Sequence, residues 1–406
     1  MSGPLSGIRV LDLTSVLMGP YATQIMGDLG ADVIKIESRT GDTTRKIGPG
    51  RSPDMGSNFL HSNRSKRSVV LDLKQPEGRE ALLRLAAISD VLIHNIRKPA
   101  MERLGLGYES VKARNEAIVY CTMTGFGEGG PYSDKPAYDD LVQGLTGLPA
   151  MIGGAEGVPR YVPTPLVDRI AGLNGVIAVT SALLWRSRSS QGQAIDVPMF
   201  ECMAQFVLSD HLFGETFSPP LSKPGYNRLM SDKRRPFGTE DGWICMLTYT
   251  DRHWLKLFDI LGRNDLAGDV RFKDMRSRND HIDELYGIIA AAMPSKTTEQ
   301  WLKILAEADI PAAPLNDLRG LIDDPHLEAV NFFEWAQHPT EGPIKTIAVP
   351  TRWSLTKPVL TSPAPRLGQH SVEVLHIAGY DDAEIDRLCA AGITAKPDSP
   401  TENDVG

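Results

Sequence analysis

Short runs rich in β-branched and apolar residues alternate with stretches of helical spacing through the first 125 residues, and this alternation admits few folds. Residues 8–13, 32–37, 68–73, 91–94 and 118–122 read as strands. Residues 21–29 and 77–87 read as helices, the second opened by Pro76 at a first helical position. Parallel neighbours in a sheet need a crossover of about a dozen or more residues, which a helix supplies. The pattern therefore predicts an α/β fold: a parallel sheet with helices on both faces. A shorter strand is expected at 194–197, after Gly192.

Beyond the alternating region the chain is punctuated by glycine and proline. A loop at 125–136 leads to a helical stretch at 137–147, and a second loop at 151–165 delivers the chain to Asp168. The apolar run at 171–185 is expected to be a core helix, because it falls short of the ~20 residues that span a bilayer. The segments predict a large domain over 1–213, a linker at 214–236 and a small α+β domain over 237–322. A second linker at 323–365, a return to the large domain at 366–394 and a polar tail at 395–406 complete the expected layout. Helices are expected in the small domain near 254–261, 281–292 and 298–306, and in the returning segment at 372–378.

Composition excludes several classes. With 43 Lys and Arg against 51 Asp and Glu the net charge is −8, which argues against nucleic-acid binding. Cys121, Cys202, Cys245 and Cys389 are far apart and match no metal-ligand spacing, so they read as small core residues and no metal is called for. The start of the sequence lacks a basic segment followed by an apolar run, so the expected setting is the reducing cytoplasm, with no membrane partner. No P-loop, GxSxG or HExxH motif occurs. Residues 125–130, GFGEGG, fit GxGxxG, but Pro131, Asp134 and Pro136 prevent a helix from opening there. Nicotinamide binding is therefore only a distant alternative.

Two features point to chemistry. Asp168 stands where a Gly/Pro-rich loop meets a long apolar helix. On local sequence alone that place favours an N-cap, although a carboxylate there can be a covalent nucleophile if it is desolvated and its products are stabilised nearby. Basic residues gather around the strands: Arg39, Arg45 and Lys46 after the second, Lys66, Arg67 and Lys74 flanking the third, and Arg97, Lys98 and Arg103 after the next. Ligands of parallel sheets bind beyond the carboxyl ends of the strands, where Arg39, Lys74, Arg97 and Lys98 would converge on phosphates.

Five ordered blocks carry a resemblance. GIRVLDLTSVLMGPYATQIMGDLGADVIKIES, NRSKRSVVLDLKQPEGREALLRL, SDVLIHNIRKPAMERLGL, TGFGEGGPYSDKPAYDDLVQGLTG and APRLGQHSVEVL resemble the family III CoA-transferases, the CaiB/BaiF family, over nearly the whole chain. The resemblance implies a Rossmann-like large domain, an interlocked homodimer, and acyl-CoA plus a small carboxylic acid as substrates, with no permanently bound cofactor. It implies Asp168 in PTPLVDRIAGLNG as the nucleophile, with Arg39, Lys74 and Arg103 on the phosphates or adenine of CoA. Val16 and Ala100 would line the pocket, and Leu17 and Tyr138 would face the substrate. Leu17 stands where the formyl-CoA branch has glutamine, and no run of four glycines occurs between 237 and 322, so formyl transfer is disfavoured.

The related racemases use a histidine in a GHD motif, and Ala137-Tyr138-Asp139 stands in its place. A tyrosine of ordinary pKa ~10 is a poor general base near neutrality, so transferase is favoured over acyl-CoA isomerase. Asp139 is expected to cap its own helix and His94 to be structural. Arg228, Arg234 and Arg235 are read first as linker surface charge. Intramolecular CoA transfer and a non-catalytic CoA-binding role stay as alternatives.

Overall fold

The computed structural model describes residues 3–154 and 157–396; of the expected tail, 397–406 lie outside the described residues. The chain runs β1 (Arg9–Leu13), α1 (Met18–Asp28), β2 (Asp32–Glu37), α2 (Ser57–Ser62), β3 (Lys66–Val70), α3 (Pro76–Ala87), β4 (Val91–His94), α4 (Lys98–Arg103), α5 (Tyr108–Lys112) and β5 (Val119–Thr124). It continues through α6 (Asp139–Leu145), α7 (Leu148–Gly153), α8 (Leu166–Ser189), β6 (Gln193–Pro198), α9 (Met199–His211) and α10 (Asn227–Met230). Then come β7 (Phe237–Gly238), β8 (Trp243–Met246), α11 (Asp251–Ile260), α12 (Met275–Asp280), α13 (Ile282–Ala292), α14 (Thr298–Glu307) and β9 (Ala312–Pro314). The last elements are α15 (Leu318–Ile322), α16 (Pro325–Ala329), β10 (Phe333–His338), β11 (Gly342–Ile347), α17 (Ser371–Ile377) and α18 (Asp382–Ala390).

These elements form two compact units. The first comprises Met1–Thr146, Val162–Ala204 and His326–Gly406, and the second Gly147–Tyr161 and Gln205–Pro325. The first unit is built on a sheet of order β3-β2-β1-β4-β5-β6 in which every neighbouring pair is parallel. Leu11 of β1 lies opposite Ile34 on one side and Leu92 on the other, and all three are fully buried. The strand order reverses between β1 and β4, which creates a crevice at their carboxyl ends. The second unit carries the antiparallel sheet β7-β8-β9 around a core that includes Trp254, Leu257, Leu285 and Trp301.

Three expectations are corrected. The third strand starts at Lys66 rather than at 68 and ends at Val70. Its two leading charges enter because partners elsewhere in the sheet neutralise them: Lys66 pairs with Asp12 of β1, two strands away, at 3.0 Å and Arg67 with Asp32 of the adjacent β2 at 2.6 Å. The apolar helix α8 is 24 residues long, and by length and composition it passes as a membrane span. It is also not fully buried: one face packs on α1, while Leu173, Ile177, Leu184 and Trp185 are exposed. Finally, 323–365 is no bare connector, since it holds α16 and the hairpin β10–β11.

Candidate active site

A cavity of about 580 Å³ opens at the crevice of the first unit. Its wall comprises the turn after β1 (Ser15, Val16, Leu17), the turn after β4 (Asn95, Arg97, Lys98), the glycine loop after β5, Tyr138 and Asp168. Three strand ends therefore contribute, as the topology requires.

Asp168 reaches this wall because α8 lies against α1 with little between them. A Cβ on Gly172 would meet the backbone carbonyl oxygen of Met18 at 2.9 Å. Only glycine permits that approach. Arg169 stacks over the Tyr21 ring at 4.3 Å and ties the first turn of α8 to α1.

Asp168 is not the N-cap of α8. Pro165 holds that place and Asp168 lies within the first turn. Its own N–H donates to Asp139 Oδ1 at 2.9 Å. Asp139 Oδ2 meanwhile accepts from Gln143 Nε2 at 2.6 Å, and Gln143 Oε1 accepts the Val162 N–H at 2.9 Å. Asp139 therefore bonds the first turn of the helix of Asp168, which corrects the expectation that it caps its own: the N-cap of α6 is Tyr138, with no side-chain cap bond. Among the described residues no side-chain donor reaches the Asp168 carboxylate. Burial, then the Asp139 charge, push its carboxyl from the ordinary 3.8 up to about 7, with Arg169 opposing.

The remaining site residues divide. Val16, Leu17, Arg97, Tyr138 and Asp168 are brought together on the cavity wall. Lys98 lines it too and pairs with Glu128 at 2.6 Å. Ala100 and Arg103 lie on α4 off that wall. Arg39 is elsewhere, its guanidinium near the Gly392 carbonyl at 3.4 Å, and Lys74 follows β3, where its N–H donates to Asp72. Two of the clustered basic residues are unavailable to any phosphate. Arg45 is buried, forked onto Glu37 at 2.7 and 2.9 Å and stacked on Phe59 at 3.8 Å. Lys66 is buried and spends its three donors on Asp12, Pro20 O and Asn63.

The glycine loop does not open a helix: α6 begins only at Asp139. Within that loop the Gly127 N–H donates to Glu201 Oε1 at 2.8 Å. His94 is buried between the Ile96 carbonyl at 3.0 Å and Thr122 at 3.3 Å, and burial pulls its pKa down to about 4. Cys121 is buried and the other three cysteines are partly so. Among the described residues no cluster of three or more His, Cys, Asp or Glu is placed around a common point. The sequence reading missed Asn95, Met199 and Phe126 as wall residues. Position just after a strand end was the available signal for Asn95.

Comparison with known proteins places these features in context. A family model described as CoA-transferase family III matches residues 5–371. A succinate–glutarate CoA-transferase of Agrobacterium fabrum is 32% identical over 92% of this chain and 95% of the relative. A succinyl-CoA:glutarate CoA-transferase of Mus musculus is 31% identical over 96% of this chain and 90% of the relative. A crystal structure of a CaiB/BaiF family protein from Brucella suis superposes with a TM-score of 0.78 at 32% identity, covering 93% of this chain and 100% of that one.

Proposed function

The chain belongs to CoA-transferase family III, and from that premise we propose that it moves CoA from an acyl-CoA to a free carboxylate by covalent catalysis on Asp168. The observation that carries the reading is a partly buried carboxylate without a side-chain donor, raised to about 7, on the wall of a cavity at the sheet's switch point.

Asp168 oxygen attacks the thioester carbonyl, the C–S bond breaks, and a mixed anhydride and CoA thiolate form. The thiolate attacks the Asp168 carbonyl, the anhydride C–O bond breaks, and the donor acid leaves from an aspartyl-CoA thioester. An acceptor carboxylate runs the same steps backwards. Each step exchanges one acyl link for another, so no net proton or electron is consumed. Desolvation favours attack, because a poorly hydrated carboxylate is the stronger nucleophile.

Arg97 and Lys98 supply positive charge at the cavity for the CoA diphosphate, with Arg39, Lys74 and Arg103 proposed for the more distant nucleotide. Val16, Leu17 and Ala100 are proposed to flank the pantetheine and acyl chain. Tyr138, exposed at the cavity, is proposed to donate to a substrate carboxylate. The named relatives favour small dicarboxylic acids such as succinate and glutarate as substrates. A racemase reading is weaker, because no histidine lines the cavity among the described residues.

We also propose a homodimer. Leu173, Ile177 and Leu184 are exposed at spacings of four and seven on α8 and form an apolar stripe suited to a second copy. The functional test offers succinyl-CoA with glutarate and separates the CoA esters by chromatography. Formation of glutaryl-CoA by the wild type, and its loss in Asp168→Ala by at least about a thousandfold, is expected. Full turnover by the variant would remove Asp168 from the mechanism.

A further inference from the structure

Beneath the cavity wall lie buried charges that the transfer chemistry does not use. Lys35 of β2 is fully buried; its ammonium donates to the Thr14 carbonyl at 2.8 Å and to Asp42 Oδ2 at 2.9 Å. Asp42 Oδ1 accepts from the Thr44 N–H at 2.9 Å, from the Thr44 hydroxyl at 2.8 Å and, at the long end of the range, from the Val16 N–H at 3.3 Å. One ion pair therefore grips the backbone on both sides of Ser15.

What it grips is strained. Val16 has a φ of 70°, a left-handed conformation that a β-branched residue rarely adopts. Such conformations persist where surrounding contacts over-determine them, and they gather at functional sites. Val16 and Leu17 are cavity wall, whereas neither Lys35 nor Asp42 touches the cavity. A buried ion pair contributes little net stability compared with apolar residues of the same volume. Its worth here is geometric.

We infer that Asp42, anchored by Lys35, is a positioning residue that holds the Thr14–Leu17 turn in the shape that receives acyl-CoA. The inference rests on the CoA-transferase reading of the cavity and adds to it a pair of groups remote from the substrate. Asp42→Asn keeps an oxygen for the Val16 N–H but removes the carboxylate that ion-pairs with Lys35. Asp42→Ala removes both contacts.

The test measures CoA affinity by calorimetry, KM and kcat for succinyl-CoA, and melting temperature in the wild type and both variants. Asp42→Ala is expected to raise the Kd for CoA and the KM for succinyl-CoA about tenfold, with kcat within about threefold. Asp42→Asn is expected to melt lower than the wild type yet to bind CoA within about threefold of it. Loss of folded protein alone would lower kcat per total protein and leave KM and Kd unmoved. Should Asp42→Ala not fold, Asp42→Ser, which keeps an oxygen to cap Thr44, takes its place. Unchanged Kd and KM in the folded variant, or affinity that simply tracks melting temperature across the variants, overturns the inference. A wild type that binds no CoA overturns the reading of the cavity itself, a separate result.

Discussion

Asp168 owes its proposed reactivity first to burial and then to two neighbours of opposite effect. Asp139 binds its N–H and adds a negative charge, while Arg169 is drawn onto Tyr21. Because the carboxyl is raised to about 7, the nucleophile is ionised above that pH and protonated below it. The kcat/KM for acyl-CoA should therefore rise with pH through about 7 and level off above it. Asp139→Asn keeps an oxygen for the Asp168 N–H and deletes the charge, so the rise should move to lower pH. Stability carries the opposite signature. The native state keeps a proton that the unfolded chain releases above about 3.8, so the fold loses stability between that pH and about 7. Asp168→Asn should stabilise the protein by about 1 kcal/mol at pH 8, after discounting for partial exposure, and hardly at all near pH 4. Thermal melts at the two pH values check this. The place of Asp168 on the cavity wall was legible through the resemblance, since its local sequence favours an N-cap. The role of Asp139 was not, because its partner lies 29 residues away. The pairing of Lys66 was hidden for the same reason: Asp12, which neutralises it, becomes a neighbour only once the sheet has formed.

At the scale of elements, the sheet carries the site, and the contact between α1 and α8 aims it. Gly172 packs on the Met18 carbonyl and the Tyr21 ring, so Gly172→Val should push the helices apart. The expected cost is about 1–3 kcal/mol, with a larger fall in activity, since Asp168 lies one turn away; denaturant titration beside turnover separates the two effects. Lys66→Met should cost about 3–5 kcal/mol, because it removes the ion-pair partner of the fully buried Asp12. Asp12 is otherwise held at about 2, its burial being outweighed by Lys66, Lys35 and two threonine hydroxyls. The buried strands β1, β2, β4 and β5 were legible because residues such as Val10, Ile34, Leu92 and Val119 form short β-rich runs. The hairpin β10–β11 was not: its first strand, FEWAQH, exposes Trp335 and carries Glu334 and Gln337, so no apolar face marks it. The extent of α8 was misjudged because its helix continues past the apolar run through Arg186 and Arg188 to Ser189.

For the whole molecule, the apolar stripe on α8 predicts self-association. Ile177, 62% exposed, is its most open member, and Ile177→Asp should convert a dimer seen by sedimentation into a monomer. An unchanged sedimentation coefficient would assign the stripe another role. The claim on which the account stands is the covalent one, and direct trapping tests it. Wild type and Asp168→Ala are incubated with succinyl-CoA, quenched with borohydride or hydroxylamine, digested, and mapped by mass spectrometry. The account predicts a reduced or hydroxamate-modified Asp168 in the wild type and an unmodified peptide in the variant. Turnover of succinyl-CoA with no adduct at Asp168, or an adduct elsewhere that survives in the variant, would contradict it.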